Sequence, residues 1–329
     1  MRIGIPREIK TFEFRVAMTP HGVRQILSAG HKVFIEKGAG LGAGYTDRDY
    51  REVGAVLLSS PRAVFEKSEL ILKVKEPQPK EFAFLRPGLI LFTFLHLAAN
   101  SQLEKILKKK KVRAIAYETI RASDDSLPIL TPMSEIAGLL AAMIGANYLR
   151  KDLGGKGVLL SAVGMGGTGH VTVLGAGHVG RHALKIAHGL GATVTLYDRN
   201  REKLERIGST YSERLQILSD PSELPEVICR TDLLIGAVLI PGEKAPTIVT
   251  RKMVQSMEPG SVIVDVAVDQ GGCVETIRPT TLKDPVYKKY GVLHCGVTNL
   301  PSLAARTATE ALSRATLPYV LKIASKLTI

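Results

Sequence analysis

Short apolar runs alternate with amphipathic stretches along almost the whole chain. In the N-terminal third, strand-length runs fall at 2–5, 32–36, 70–73, 89–94 and 113–117, while 20–29, 47–53 and 102–109 repeat apolar residues at helical spacing. A second series follows, with strand patterns at 171–174, 193–196, 215–218, 232–238, 261–266 and 292–294 and helical ones at 201–207 and 251–257. Strands alternating with helices argue parallel sheets covered on both faces. The chain therefore reads as α/β, in two domains.

Two long helices bracket the second series. Thr131 and Pro132 supply a cap and a first-position proline, and Ile136, Leu139, Leu140, Met143, Ile144 and Tyr148 follow as a helical stripe. Gly138, Ala141, Ala142, Gly145 and Ala146 leave room for close packing against this helix, which would connect the domains. Residues 151–169 are polar and glycine-rich, a loop with one short strand at 158–162. Asn299-Leu300-Pro301 marks a turn, and 303–326 predicts a final helix, broken at Pro318, that returns to the first domain. The expected domains are 1–130 completed by 301–329, and 131–300.

The second domain opens with VTVLGAGHVGRHALKIAHGLGATVTLYD, residues 171–198. Gly175, Gly177 and Gly180 form G-x-G-x-x-G after a strand and before a helix, and a second strand ends at Asp198. The glycines serve three physical ends, namely a tight turn, bare backbone for a pyrophosphate, and close helix-to-strand packing. The first N–H groups of the helix would hold the pyrophosphate. Asp198, some twenty residues on, is placed for the ribose hydroxyls, and its charge would repel a 2′-phosphate. The domain is thus Rossmann-type and the cofactor NAD rather than NADP, and a hydride-transfer site belongs in the cleft beside it. The run Gly38-Ala39-Gly40-Leu41-Gly42-Ala43-Gly44 mimics the motif, but no strand ending in an acid follows it; it reads as a flexible turn.

Composition narrows the function classes. Of 329 residues, 45% are hydrophobic and 23% charged, the balance of a folded soluble protein, and no apolar run reaches the roughly 20 residues of a membrane span. The start, MRIGIPREIK, has no signal-peptide core, and Cys229, Cys273 and Cys295 have neither disulfide nor metal spacing, so a cytoplasmic protein without a metal is expected. The formal charge of +13 raises nucleic-acid binding. Its densest run, Lys108 to Lys111, has no interleaved aromatics for base stacking and reads as a solvated helix end. The positive field suits anionic small molecules instead.

Four residues outside the fingerprint stand near strand ends or in short loops, where such folds place ligands: Arg15, Lys75, His96 and Asp269. Each also has a plain structural reading: a surface pair with Glu76 for Lys75, a core histidine for His96, turn caps for Asp265 and Asp269. IGIPREIK, Glu13-x-Arg15 in E-x-RVAMTP, GHKV, GAGLGAGY, KVKEP, LFTFLHLAA, AIAYETI, LTPMSEIAG, GAVLIPGEKAPTIVT and PGSVIVDVAVDQGG, in that order, carry a resemblance to the alanine dehydrogenase family over nearly the whole chain.

The resemblance implies a reversible, NAD-dependent oxidative deamination of L-alanine to pyruvate and ammonia. It places Arg15 and Lys75 on the substrate's carboxylate and carbonyl, His96 as the acid–base group and Asp269 as a second catalytic carboxylate. Met133 and Ser134 match cofactor-side positions. The cofactor set expected is Ser134, Gly175, Gly177, Val179, Gly180 and Asp198. Lys203, Ser219, Val238, Leu239, Val266, Asp269, Asn299 and Leu300 complete it. A homo-oligomer, the family's hexamer, is implied. The NAD-binding component of proton-pumping transhydrogenase resembles the chain over a similar span, which leaves a hydride-passing module, or an NAD-binding protein without turnover, as alternatives. That component generally lacks the histidine at His96 and has glutamine at Asp269. Two departures stand out: family enzymes run several tens of residues past Ile329, and NLPSLAART replaces a version usually containing proline and glycine.

Overall fold

The computed structural model describes residues 1–97, 100–211, 213–238 and 244–325. The chain forms two compact units, Met1–Met133 with Pro301–Ile329, and Ser134–Leu300.

The first unit runs β1 (Arg2–Ile5), α1 (Pro20–Ser28), β2 (Lys32–Glu36), α2 (Asp47–Glu52), β3 (Val56–Leu58), α3 (Pro61–Lys67), β4 (Leu70–Leu72), β5 (Ile90–Thr93), α4 (Ser101–Lys109) and β6 (Arg113–Ala116). The pattern does not predict the β3–α3 pair: β3 is only three residues long and half-exposed, too short to register as a run. The six strands are all parallel in the order β3-β2-β1-β4-β5-β6. The order reverses between β1 and β4, so their carboxyl ends flank the crevice where doubly wound sheets take ligands. The glycine run at 38–44 is no flexible turn. A single 3-10 turn spans Leu41–Ala43, and a Cβ on Gly42 would stand 2.5 Å from the carbonyl oxygen of Phe14, so only glycine lets the two backbones touch. The lysine run is the exposed end of α4, where Lys108 pairs with Glu104 at 2.6 Å.

Helix α5 (Leu130–Tyr148) starts one residue before Thr131, so Thr131 and Pro132 lie in its first turn and Thr131 is not the cap. Its buried face is also narrower than the expected stripe. Ala141 and Ala142 are fully buried while Met143 is 55% exposed, because the small residues are what allow close approach.

The second unit continues with β7 (His170–Leu174), α6 (His178–Gly189), β8 (Thr193–Tyr197), α7 (Arg201–Gly208), β9 (Leu215–Leu218), α8 (Leu224–Cys229), β10 (Leu233–Gly236), α9 (Arg251–Ser256), β11 (Val262–Asp265), β12 (Val286–Lys289) and β13 (Val292–Cys295). The sheet order is β12-β13-β11-β10-β7-β8-β9, a Rossmann-type parallel sheet with β12 antiparallel on one edge. No strand forms at 158–162. Leu159 is 66% exposed there, and an apolar run without a neighbouring strand has nothing to pair with.

A 3-10 turn, Leu300–Ala304, leads into α10 (Ala305–Ala324). Pro318 lies inside α10 without breaking it. Both Pro318 and Arg314, whose carbonyl loses its partner, are exposed, so water can satisfy the orphaned oxygen. Among the described residues no helix is long and apolar enough to cross a membrane, and all three cysteines are unpaired.

Candidate functional site

In the first unit, loops at the carboxyl ends of β1, β4, β5 and β6 carry a concentration of charge that the apolar strands beneath them bury. Lys73, fully buried, reaches Glu8 and Glu81 at 3.0 Å each. Burial alone would depress its pKa, but the two carboxylates more than compensate and hold the ammonium above the ordinary lysine value. Glu8 also accepts hydrogen bonds from the Val74 and Lys75 amides at 2.6 and 3.4 Å, fixing the backbone that presents Lys75.

Lys75 is 8% exposed and sits in a different field. Burial lowers its pKa, Arg15 and Lys10 lower it further, and Glu76 and Glu13 only partly offset them. The surface-pair reading therefore fails: Lys75 is buried, and Glu76 is engaged by Lys10 at 2.7 Å. Arg15, 3% exposed, is gripped by Glu13, with Nε and Nη2 donating to its two oxygens at 2.7 and 2.5 Å and the Arg15 amide adding a bond of 3.0 Å. Nη1 donates to the Met133 sulfur at 3.2 Å, so Met133 stands beside Arg15.

His96 is exposed, not a core histidine, and its backbone is left-handed with φ 49°. The Glu118 carboxylate, just past β6, accepts the His96 amide at 2.6 Å and the Leu95 amide at 3.3 Å, and so holds that unfavourable conformation. The imidazole lies parallel to Phe94 at 5.8 Å. Glu8, Lys73, Glu81 and Glu118 were not singled out from the sequence. Glu8 and Glu118 each stand just beyond a strand end, the only local signal that could have found them.

In the second unit the fingerprint is realised. Gly175 is left-handed at φ 97°, and a Cβ on Gly180 would collide with the Gly175 carbonyl oxygen. A Cβ on Gly177 would meet nothing within 4 Å, so the turn opens onto space at the N-terminus of α6, which has no capping side chain. Such a cradle fits a pyrophosphate. Asp198, past β8, accepts the Ala176 amide at 2.7 Å, the Asn200 amide at 3.0 Å and the Lys203 ammonium at 3.2 Å. Partial burial pushes its pKa up, but these three partners outweigh it and hold the carboxyl below the usual value.

Ser134 and Gly138 are one turn apart on α5. A Cβ on Gly138 would collide with the Val179 carbonyl oxygen, so the start of α5 crosses the start of α6 and brings Ser134 toward the fingerprint. Ser219 follows β9, Val238 follows β10, Val266 and Asp269 follow β11, and Asn299 and Leu300 follow β13, all on the same carboxyl edge. Leu239 lies outside the described residues.

Asp265 is the turn cap: 1% exposed, it accepts the Ala267, Cys273 and Val274 amides at 2.9, 2.8 and 3.2 Å. It fixes the 3-10 turn Val266–Gln270, on which Asp269 is exposed. Leu300 is 3% exposed and packs in the core, which leaves its backbone for any ligand, and Asn299 is left-handed at φ 72°. No cluster of metal-ligating side chains occurs among the described residues.

The chain matches two family profiles, Alanine dehydrogenase/PNT, N-terminal domain over residues 4–137 and Alanine dehydrogenase/PNT, C-terminal domain over 141–328. It is 50% identical over 328 residues to an alanine dehydrogenase of Bacillus subtilis (strain 168), which covers 99% of this chain and 86% of that one. An alanine dehydrogenase of Methanococcus maripaludis is 51% identical over 328 residues, covering 99% and 88%. Among solved structures, an L-alanine dehydrogenase superposes with a TM-score of 0.96 at 48% identity, covering 99% of this chain and 90% of that one. A transhydrogenase from Sinorhizobium meliloti gives 0.86 at 27%, covering 98% and 94%.

Proposed function

The chain belongs to the alanine dehydrogenase/PNT family, and from that premise we infer that it catalyses the NAD-dependent, reversible oxidative deamination of L-alanine to pyruvate and ammonia. The observation that carries the substrate reading is the pair of buried cations, Arg15 and Lys75, close enough for Arg15 to depress the Lys75 pKa. Glu13 already balances Arg15, so the buried pair keeps a surplus positive charge that suits an anion, and a 2-oxo acid brings both a carboxylate and a carbonyl oxygen.

In this reading the Arg15 guanidinium holds the carboxylate, its orientation fixed by Glu13. Lys75 donates to the carbonyl oxygen and stabilises the negative charge that grows there as pyruvate is converted. Gly175–Gly180 and Asp198 would hold NAD, which when bound would supply the acceptor for the hydride of the alanine Cα. The resulting imine takes up water, and His96 moves protons as the carbinolamine loses ammonia, the work for which an imidazole side chain is suited near neutral pH. Asp269 offers a carboxylate to the amino group. Alanine, NAD and water thus give pyruvate, ammonium, NADH and a proton.

His96 and Asp269 favour the dehydrogenase over the transhydrogenase-like module, which resembles this chain but generally lacks both. We place the enzyme in the cytoplasm as a homo-oligomer, the hexamer of its family; its unpaired cysteines suit a reducing compartment. The test is NAD reduction with L-alanine, and NADH oxidation with pyruvate and ammonium, in the parent and in His96→Ala. Turnover in both directions that falls by about 10²–10⁴ in the variant, with NADH affinity unchanged, is the expected result. Near-normal rates in His96→Ala would refute the acid–base role, and no turnover in the parent would refute the activity.

A further inference from the structure

The loop that carries Arg15 has no secondary structure between β1 and α1, so its backbone must find partners elsewhere. It finds them in the last segment of the chain. Ser302 is fully buried, and its hydroxyl accepts the Phe14 amide at 3.0 Å while donating to the Phe12 carbonyl at 2.5 Å. One side chain thus closes the backbone on both sides of Glu13, at a bend where Phe12 is left-handed with φ 59°. Thr309 accepts the Val16 amide at 3.2 Å, and Ser313 accepts the Thr19 amide at 3.2 Å. Three hydroxyls from 302 to 313 therefore follow the loop from 12 to 19.

On its other side, Phe14 lies against Gly42. The glycine turn there is held by Arg306, which lies over the Tyr45 ring at 3.9 Å and donates to the Gly44 carbonyl at 3.0 Å. The Glu13–Arg15 pair consequently sits on a bend clamped from two directions, with Ser302 bonding the backbone on either side of Glu13.

We propose that Ser302 is a positioning residue for substrate binding: its hydroxyl sets the bend that aims the Glu13-held Arg15 guanidinium at the substrate carboxylate. The proposal rests on the reading of Arg15 as the carboxylate partner. Its chemistry is geometric. A planar fork loses bidentate geometry when its Cα shifts by a fraction of an ångström.

The experiment compares the parent with Ser302→Ala and Arg15→Ala, by steady-state rates in both directions, calorimetric NADH affinity and thermal melting. For Ser302→Ala, KM for L-alanine and pyruvate should rise by about five- to tenfold, with a smaller change in kcat and NADH Kd within about twofold. An unchanged KM in a folded Ser302→Ala overturns the proposal, whatever its melting temperature. So does a loss shared between kcat and NADH Kd, which would mark general loosening. Should Ser302→Ala not be recovered folded, Ser302→Cys, which fills the buried site but replaces the hydroxyl by a weak donor and acceptor, is judged by the same criteria. Arg15→Ala separates the two readings: if it leaves KM unaltered, the carboxylate assignment fails, whereas a raised KM there beside an unaltered one in Ser302→Ala refutes the Ser302 role alone.

Discussion

Glu13→Gln tests how Arg15 is held. Both side chains are almost completely withdrawn from water, at 2% exposure for Arg15 and 0% for Glu13, and Glu13 takes three hydrogen bonds from Arg15. Glutamine keeps one carbonyl oxygen, enough for the Arg15 amide and Nε. It puts an NH2 group where the other oxygen met Nη2, so donor faces donor and a buried cation loses its counter-charge. Breaking such a pair costs about 3–5 kcal/mol. At roughly 2–4 °C per kcal/mol for a unit of this size, the melting temperature should fall by about 6–20 °C. Because the guanidinium also loses its anchor, KM for alanine and pyruvate should rise by about tenfold or more, with NADH affinity retained. Differential scanning fluorimetry, initial rates and calorimetry read the three quantities. A variant that melts within about 2 °C of the parent with unchanged KM would show that Glu13 neither stabilises nor aims Arg15.

Lys75→Met should abolish turnover yet raise the melting temperature. Burial lowers the Lys75 pKa, so the folded state carries a penalty below that lowered value which is relieved as pH rises toward the ordinary 10.5; the Met variant's advantage should be largest near neutrality and fade in alkali. Asp198→Ala should weaken NAD binding and shift the NADP-to-NAD affinity ratio by about tenfold or more, because Lys203, 3.2 Å from Asp198, is left to face a 2′-phosphate. An unchanged ratio by calorimetry would refute the discrimination argument. Gly177→Ala adds a Cβ that meets no protein atom, so its melting temperature should match the parent's within about 2 °C while NADH affinity falls by about tenfold; equal affinity would mean the pyrophosphate lies elsewhere.

The periodicities of strands and helices were legible wherever an element was long enough to repeat. The fingerprint was the clearest case, because Gly175, Gly177, Gly180 and Asp198 are local in sequence and each is required by local geometry. Short or context-dependent elements were not. Val56–Leu58 exists only because β2 pairs with it, and residues 158–162 stay a loop because nothing pairs with them. Pro318 interrupts a pattern but not a helix, since the freed carbonyl faces water.

The same division runs through the site. Position near strand ends singled out Arg15, Lys75, His96 and Asp269, and the family resemblance supplied their roles. What each group does with its charge was decided by tertiary structure. Lys73 and Lys75 are two residues apart, yet one is neutralised between Glu8 and Glu81 and the other is held beside Arg15 with its pKa depressed. Glu118 and Ser302 act on His96 and Arg15 through backbone bonds to residues 22 and 288 positions away in Glu118–His96 and Ser302–Phe14. Periodicity carries information about neighbours a few residues away, so the sequence by itself determined the longer elements, the nucleotide fold and the chemical cast. Electrostatic field, burial and backbone anchorage depend on what the chain brings back from far along its length, and only the folded structure decided those.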